Sequence, residues 1–317
     1  MRIARWIRDG RDEDGFVTDD GVVPFPDGLA VADVLAAGLP ALPGIRARAG
    51  DPVAPLDAVR LRAPLDPPTV RDFVAFEEHV EGVSAGVEGK SHVADEWYEA
   101  PTFYFTNPHT IHGPGEAIRP PETQRLDYEL ELAAVIGGPG GANLAPGEAG
   151  DAIFGYTIMN DWSARDLQGR EMKVRLGPCK GKDFAMSLGP WIVTADELAG
   201  FEDDEGFLAV RAEVFVNGER YGEDLVSNMG WPFAELVAYA SRNSRIVPGD
   251  VLGSGTVGNG GCLGELWGLG RDLPALAEGD EVRMVVEGVG ELVGVVGAPL
   301  EAPAIPHARP RPRARRR

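Results

Sequence analysis

Apolar residues occur along this chain in short runs separated by Gly, Pro, Asn and Asp, which is the pattern of β-strands joined by turns. The runs Ile153 to Met159 and Leu188 to Thr194 predict two buried strands. The first seven residues of Leu126 to Val135 alternate apolar with acidic side chains instead, which predicts a strand with one apolar and one acidic face. Since the 317 residues include 42 Gly and 26 Pro, turns are frequent, and short strands are favoured over long helices.

The two ends of the chain differ from its centre. Residues 1–63 predict a small N-terminal β-rich module, which we interpret as a structural or dimer-supporting addition to the main body. Residues 64–300 form that main body and contain every candidate functional side chain. Residues 301–317 are rich in Pro and Arg, which predicts a disordered tail.

Candidate functional side chains are densest just after the first of the two buried strands. Residues 160–163 include types that cap helices, so we predict a helix that carries Asp161, Arg165 and Gln168 on one face. Lys182 follows in a Gly-rich loop. A carboxylate beside a guanidinium, an amide and an ammonium group suits a metal ion and an anionic substrate. The alternative is an ordinary charged helix face exposed to water.

A second helix is predicted from about Val70, because residues 67–69 (Pro-Pro-Thr) form a typical helix start. Asp72 and His79 would then lie two turns apart on one face, roughly 10 Å along the axis. At that distance they would not share one metal ion, but they would flank one substrate. The alternative is that His79 is a packed or surface residue without a catalytic role.

The acidic face of the alternating strand carries Asp127, Glu129 and Glu131. Glutamates two residues apart on a strand point the same way and can share a cation, and Asp161 offers a further carboxylate. Ligand sets made only of oxygen favour Mg²⁺, Mn²⁺ or Ca²⁺ over Zn²⁺. The alternative is an exposed acidic face on an edge strand, which needs no ion.

The formal charge of -20 excludes several classes of partner. The last eleven residues contain six Arg and no acid, so the rest of the chain is close to -26 and does not attract nucleic acid or an anionic membrane. No run is apolar enough to span a bilayer, and the first ten residues lack the apolar centre of a signal peptide. Cys179 and Cys262 are isolated cysteines, typical of a reduced cytoplasmic protein rather than a disulfide scaffold or a zinc site.

Several segments between about Pro64 and Pro299 resemble the fumarylacetoacetate hydrolase (FAH) superfamily. The most specific is NDWSARDLQ, which is followed by GPCKGKDF and SLGPW, and the segments DYELELAAVIG and RDFVAFEEHV match as well. The resemblance implies a mixed α/β, β-rich fold, an FAH-like β-roll of packed mixed sheets, assembled as a homodimer.

The resemblance also implies roles for individual residues. A divalent cation (Mg²⁺, Mn²⁺ or Ca²⁺) would be held by four carboxylates: Asp72, Glu129, Glu131 and Asp161. The catalytic side chains would be His79, as general base on water, Glu265, which orients the histidine, and Lys182. The substrate would be bound by four further side chains: Arg165, Gln168, Tyr104 and Thr256.

The residues and the resemblance together predict a metal-dependent hydrolase that cleaves a C–C bond in a 1,3-diketo acid, in aromatic catabolism. Fumarylacetoacetate, fumarylpyruvate and acylpyruvates are the expected type of substrate, and Met172 stands where fumarylacetoacetate-cleaving enzymes carry a substrate-binding tyrosine. One alternative is an isomerase, decarboxylase or dehydratase of a 2-oxo or 2-hydroxymuconate-type acid on the same metal site. A further alternative is a non-enzymatic acidic protein that binds Ca²⁺ or a small dicarboxylate.

Overall fold

The computed structural model describes residues 1–88 and 91–309, and short strands dominate it. The strands are β1 (Arg2–Arg8), β2 (Arg11–Thr18), β3 (Gly21–Pro24), β4 (Arg60–Leu61), β5 (Val70–Phe73), β6 (Phe103–Thr106), β7 (Ile111–His112), β8 (Ala117–Ile118), β9 (Leu126–Asp127), β10 (Leu130–Ile136), β11 (Ile153–Asp161), β12 (Ser163–Ala164), β13 (Met186–Thr194), β14 (Arg211–Val216), β15 (Glu219–Leu225), β16 (Val251–Gly253), β17 (Glu281–Val286) and β18 (Gly290–Val296). The helices are α1 (Val31–Ala37), α2 (Leu42–Arg48), α3 (Glu77–Glu88), α4 (Pro146–Asp151), α5 (Arg165–Met172), α6 (Ala195–Leu198), α7 (Phe233–Ser241) and α8 (Leu263–Gly268).

Two packed sheets form the body of the protein. The large sheet has the strand order β3-β2-β1-β13-β11-β10-β16-β5-β6, with β4 beside β1 and β7 beside β13. The small sheet has the order β15-β14-β17-β18-β8. Leu132 and Ile158 of the large sheet belong to the same buried apolar cluster as Val214 and Leu292 of the small one. The mixed α/β, strand-rich fold predicted from the sequence is therefore confirmed.

The opposite face of the large sheet carries a second apolar cluster. Ala133 and Val135 of β10 belong to it together with Val34 of α1 and Ile45 of α2. The N-terminal residues 1–63 take part in this layer, because β1 pairs antiparallel with β13 and so joins the large sheet. The predicted N-terminal module thus shares a sheet and a core with the rest of the chain.

The helix predicted from Val70 is wrong. Residues Val70–Phe73 form β5, which pairs in parallel with β16 and antiparallel with β6, and the helix α3 begins only at Glu77. Val70 and Phe73 are buried on opposite faces of the large sheet. These long-range pairings outweigh the local helix-start signal of residues 67–69, as tertiary context commonly does.

The helix predicted from the residues around Asp161 also begins later. β11 continues to Asp161, where Asn160 is paired with Leu130 on one side and Ser187 on the other. After the short strand β12, helix α5 starts at Arg165. Asp161 therefore lies at a strand end, and only Arg165 and Gln168 of the predicted trio share a helix. The two predicted buried strands are confirmed as β11 and β13.

The predicted disordered tail lies only partly within the described residues. Residues 301–309 are exposed and form neither helix nor strand, and the remainder of the predicted tail lies outside the described residues. Within residues 1–88 and 91–309, no helix is both long enough and apolar enough to cross a bilayer.

Candidate metal centre and active site

Four buried carboxylates meet on the face of the large sheet that points away from the small sheet. They are Asp72 on β5, Glu129 just before β10, Glu131 on β10 and Asp161 at the end of β11, and we call them the acidic cluster. Each offers one oxygen, and these oxygens all lie within 4.8 Å of one another. Asp72, Glu131 and Asp161 each stand two positions from an apolar residue of the second cluster, so strand alternation places these three on one face, and Glu129 joins them from the residue before β10.

Gly253 of β16 lies in the middle of the acidic cluster. It pairs with Asp72 on β5 and with Ala133 on β10. A Cβ atom at this position would lie 2.1 Å from the Met159 side chain and 2.6 Å from Oε2 of Glu131. Because glycine has no side chain, this position leaves room for the carboxylates of the neighbouring strands.

The acidic cluster fits a hard divalent cation. Burial raises the pKa of Asp72, Glu131 and Asp161, and in Asp72 and Glu131 the neighbouring carboxylates add to the rise. One oxygen of each of these three residues has no hydrogen-bond partner among the described residues. Buried carboxylate oxygens without donors are unfavourable unless a cation neutralises them, and an all-oxygen ligand set suits Mg²⁺, Mn²⁺ or Ca²⁺.

The alternative of an exposed acidic face is overturned. Glu129 and Glu131 are 4% and 0% exposed, and β10 lies inside the large sheet between β11 and β16. Asp127 is also buried but lies outside the acidic cluster, although strand alternation places it on the same face as Glu129 and Glu131. The chain leaves the ladder between β9 and β10, because β9 pairs with β12 instead.

Two cationic side chains border the acidic cluster. The buried Lys182 ammonium donates to Glu129 and, at 2.6 Å, to Asp161, and Nη2 of Arg165 lies 2.8 Å from Glu129. Burial alone would raise the pKa of Glu129, but Lys182 and Arg165 outweigh it and lower that pKa, so Glu129 is ionised. Asp161 and Glu129 in turn raise the pKa of Lys182 against the effect of burial. Tyr104 on β6 donates its hydroxyl to Asp161.

Arg165 is held by Gln168, which shares its helix face as predicted, and by Asp127, for which the sequence indicated no such role. Its Nε donates to Asp127 at 2.7 Å, and its Nη1 donates to Oε1 of Gln168 at 3.1 Å. The Asp127 carboxylate also accepts the backbone N–H groups of Leu263 and Gly264 at 2.7 and 2.8 Å, so it caps the start of α8. The acidic strand pattern contained Asp127, but no spacing in the sequence indicated this role.

His79 lies near the start of α3, beside the acidic cluster rather than on one helix with Asp72. Its Nδ1 is 3.6 Å from Sγ of Cys262, which caps α8 by accepting the Glu265 N–H at 3.3 Å. Burial lowers the pKa of His79 to about 4, so the imidazole is neutral near pH 7. His79, Glu129 and Cys262 offer ligand atoms within 4.8 Å of one another.

Glu265 is a buried acid on α8. Its Oε1 accepts the Gly260 N–H at 3.1 Å, and burial raises its pKa to about 7. Helix α3 packs tightly on it, since a Cβ at Gly82 would lie 2.3 Å from Cγ of Glu265. No hydrogen bond joins Glu265 to His79 among the described residues. The orienting role implied for Glu265 therefore stays a prediction.

The remaining predicted residues line the same region. Thr256 is buried in the loop after β16, in which the Gly255 N–H donates to Oε2 of Glu131 at 3.1 Å. Gln168 on α5 is linked to the site through Arg165. Met172 ends α5 and is 48% exposed.

Comparison with known proteins identifies the family of this chain. Residues 69–297 match the family profile described as Fumarylacetoacetate (FAA) hydrolase C-terminal. The fumarylacetoacetase of Arabidopsis thaliana is 31% identical, over 70% of this chain and 66% of that relative. Oxaloacetate tautomerase YisK of Bacillus subtilis is 28% identical, over 76% of this chain and 74% of that relative. The crystal structure of 5-carboxymethyl-2-hydroxymuconate delta-isomerase from Mycobacterium smegmatis has a TM-score of 0.68 at 26% identity, covering 95% of this chain and 100% of that one.

The named relatives differ in reaction, and the chain spans only 66% of the length of the plant fumarylacetoacetase. The family profile, in contrast, covers most of the chain. This protein therefore belongs to the fumarylacetoacetate hydrolase family, an enzyme family that acts on small molecules, contains hydrolases, isomerases and tautomerases, and typically depends on a divalent metal.

Proposed function

We propose that this protein is a metal-dependent hydrolase that cleaves a C–C bond in a 1,3-diketo acid of the fumarylacetoacetate, fumarylpyruvate or acylpyruvate type. The observation that carries the proposal is the buried acidic cluster, in which Glu129 contacts Lys182 and Arg165 and also lies close to a neutral His79. A homodimer and a place in aromatic catabolism, both implied by the family resemblance, belong to the same proposal.

The acidic cluster would hold Mg²⁺, Mn²⁺ or Ca²⁺. A divalent cation bound there would polarise a substrate carbonyl oxygen and stabilise the negative charge that develops as the C–C bond breaks. Glu129 would link this position to the rest of the site, because it also contacts Lys182 and Arg165.

His79 would act as the general base. Since Nδ1 faces the Cys262 sulfur, Nε2 is the nitrogen that would take a proton from water as its oxygen attacks the carbonyl carbon. The hydroxyl stays on the acyl carbon, the C–C bond electrons leave as an enolate, and a proton returns to the enolate carbon. The products are a carboxylic acid and a ketone, so the atoms balance with one water added.

The cationic side chains would stabilise the oxyanions. Lys182 and Arg165 lie next to the acidic cluster, buried or nearly so, where their charges are little screened by water. Gln168 would fix the Arg165 guanidinium through its hydrogen bond, while Tyr104 and Thr256 would contact the substrate carboxylate.

The proposal is tested by following the ultraviolet absorbance of a panel of acylpyruvates and fumarylpyruvate. Each compound is incubated with purified protein and Mg²⁺, Mn²⁺ or excess chelator. We expect a metal-dependent loss of the diketone enol band for at least one compound. Metal binding without loss of that band for any compound would contradict hydrolysis.

One observation favours a second candidate, an isomerase, tautomerase or decarboxylase of a 2-oxo acid. His79 contacts Cys262 and makes no hydrogen bond to Glu265 among the described residues, so the histidine lacks the carboxylate that would orient a water-activating base. Reactions that only move a proton or expel CO₂ need no attacking water. Turnover in ¹⁸O-labelled water separates the two candidates, because the label enters the product acid by C–C hydrolysis alone.

A further inference from the structure

We propose that His79, Cys262 and Glu129 form a second cation site, selective for a thiophilic divalent ion such as Zn²⁺ or Cd²⁺. We call it the mixed-ligand site, because it offers one nitrogen, one sulfur and one oxygen within 4.8 Å of one another. It is distinct from the acidic cluster, which offers oxygen alone.

The distance between the two softer ligands matches a tetrahedral metal ion. Zinc binds Cys sulfur at about 2.3 Å and His nitrogen at about 2.0 to 2.1 Å, so at the tetrahedral angle the two ligand atoms stand about 3.5 to 3.6 Å apart. Nδ1 of His79 and Sγ of Cys262 are 3.6 Å apart. The pair therefore has the required spacing without any movement of either helix.

The packing of two helices fixes this spacing. His79 belongs to α3, and Cys262 caps α8, where its sulfur accepts the Glu265 N–H at 3.3 Å. The helices approach so closely at Gly82 that a Cβ there would lie 2.3 Å from Glu265. Cys262 is 0% and His79 8% exposed, so both donors are already removed from water.

Ligand softness separates the two sites. Thiolate and imidazole ligands select Zn²⁺ and Cd²⁺, whereas an all-carboxylate set selects Mg²⁺, Mn²⁺ or Ca²⁺. Glu129 belongs to both sites and would bridge them through its two oxygens. A fourth position, which the described residues do not supply, would be left for water or a substrate oxygen, as in catalytic zinc sites.

Binding in the mixed-ligand site would expel one proton. The thiol of Cys262 becomes a thiolate as the sulfur–metal bond forms, and its proton is released to solvent. The net positive charge added is thus one unit rather than two. This matters because Arg165 and Lys182 already place positive charge beside Glu129.

Occupation of the mixed-ligand site would block the histidine. A metal bound at Nδ1 would fix the His79 ring and reduce the basicity of Nε2, so Zn²⁺ would inhibit enzyme that is saturated with Mg²⁺. This consequence rests on the proposed role of His79 as a base, whereas the binding of the ion does not.

The test is a Cd²⁺ titration of the full-length protein in excess Mg²⁺, followed by the ultraviolet thiolate-to-cadmium charge-transfer band. Cys179→Ser serves as background, because it removes the exposed thiol and leaves Cys262 as the remaining cysteine. We expect a saturable band in Cys179→Ser and its loss in the double variant with Cys262→Ser. Serine keeps an oxygen that can accept the Glu265 N–H, so α8 remains capped.

A second variant keeps the test decisive if the double variant folds poorly. We expect His79→Gln in the Cys179→Ser background to weaken Cd²⁺ binding by about tenfold or more. An unchanged affinity would show that Cd²⁺ binds the thiol alone, and the absence of a saturable band in Cys179→Ser would likewise overturn the proposal. A saturable band without Zn²⁺ inhibition of turnover would keep the site and contradict the role of His79 as base.

Discussion

Glu265 illustrates, at the scale of single residues, how burial changes the ionisation of a side chain. It is 2% exposed, one of its oxygens has no hydrogen-bond partner among the described residues, and burial raises its pKa from 4.5 to about 7. Because the native pKa lies above the unfolded one, the native state binds the proton more tightly. The stabilisation that results is complete below pH 4.5 and is lost as the pH rises through about 7.

We therefore predict that Glu265→Gln makes the protein more stable at pH 8, by up to about 3 kcal/mol, and changes its stability little at pH 4. The neutral amide has no charge to bury, so it escapes the penalty that the carboxylate meets at high pH. Urea unfolding at the two pH values measures the difference. The exposed Glu122→Gln is the control, and we expect it to change the free energy of unfolding by less than about 0.5 kcal/mol at both pH values. A Glu265→Gln protein less stable than wild type at pH 8 would refute the argument.

Residue roles were predictable from the sequence only in part. Alternation on one strand placed Glu129 and Glu131 together, but only the family resemblance added Asp72, which the local pattern had assigned to a helix. The roles of Asp127 and Cys262 depend on α8, which lies more than a hundred residues beyond Asp127 along the chain. No local pattern encodes such a contact, so these roles required the structure.

At the scale of elements, the acidic cluster depends on the glycine in β16. We predict that Gly253→Ala weakens Mn²⁺ binding by about tenfold or more, because the added Cβ would lie 2.6 Å from Oε2 of Glu131 and 2.1 Å from the Met159 side chain. Isothermal titration with Mn²⁺ measures the affinity. Gly44→Ala on α2 is the matched control, since nothing lies within 4 Å of its Cβ position and Ala favours a helix. Equal Mn²⁺ affinity in the two variants would rule out this role for Gly253.

Helix α5 is joined to the loop that carries Lys182 through one carboxylate. Glu171 accepts the backbone N–H groups of Cys179, Lys180 and Gly181 at 2.9, 2.9 and 3.1 Å. The two elements also touch directly, since a Cβ at Gly181 would lie 2.6 Å from the Gln168 nitrogen. Glu171 thus fixes Lys182 relative to the helix that carries Arg165 and Gln168.

We predict that Glu171→Ala raises KM for the substrate by about tenfold, because roughly 1.4 kcal/mol of loop ordering would then be drawn from substrate binding. Steady-state kinetics give KM and kcat, and faster amide exchange at residues 179–181 would report the loosened loop. Glu148→Ala, which removes an exposed carboxylate that caps α4, should leave both unchanged. Unaltered exchange in Glu171→Ala would argue that the loop is held by other contacts.

The two mispredicted helix starts have one physical cause. Residue types that begin helices occur at 67–69 and 160–163, yet the first segment directly precedes β5 and the second overlaps the end of β11, both strands of the large sheet. A strand that pairs on both sides satisfies its backbone N–H and C=O groups through partners far away in sequence. Local signals do not reveal such partners, whereas the long apolar runs at β11 and β13 identified their strands directly.

At the scale of the whole molecule, the N-terminal segment and the rest share one sheet and one core. Phe16 of β2 is 1% exposed and belongs to the same apolar cluster as Ala133 and Met159 of the central strands. We predict that Phe16→Ala lowers the free energy of unfolding by about 3 to 5 kcal/mol and that the protein still unfolds in one transition. Urea unfolding followed by far-ultraviolet circular dichroism, with amide exchange of β1 and β11, tests both statements.

Phe105→Ala is the control for that experiment, because Phe105 is 61% exposed and its loss should cost much less. If β1 exchanged in a separate step at lower free energy than β11, residues 1–63 would be an independent unit and the shared-core interpretation would fail.

Composition and periodicity predicted many short strands, and the family resemblance implied the mixed α/β fold, whereas the strand order required the structure. Frequent Gly and Pro with short apolar runs indicate a β-rich protein, but they do not indicate the order of its strands. Placing β5 between β16 and β6 requires the pairing of Asp72 with Gly253, far apart in the chain. That pairing also brings Asp72 to the acidic cluster, so the site and the strand order become known together.

The central claim is that the acidic cluster binds a divalent cation on which turnover depends. Its most direct test is Mn²⁺ titration and diketo-acid turnover on the same samples of wild type, Glu131→Gln and Asp250→Asn. Asp250 is a matched control, a buried carboxylate 1% exposed that pairs with Arg71 at 3.0 Å outside the cluster. Loss of a contact that only supports a metal ligand typically costs about 10- to 100-fold in metal affinity. We predict that Glu131→Gln, which removes a ligand itself, loses more Mn²⁺ affinity than that and loses turnover as well, while Asp250→Asn keeps both. Tight Mn²⁺ binding or intact turnover in Glu131→Gln would contradict the account.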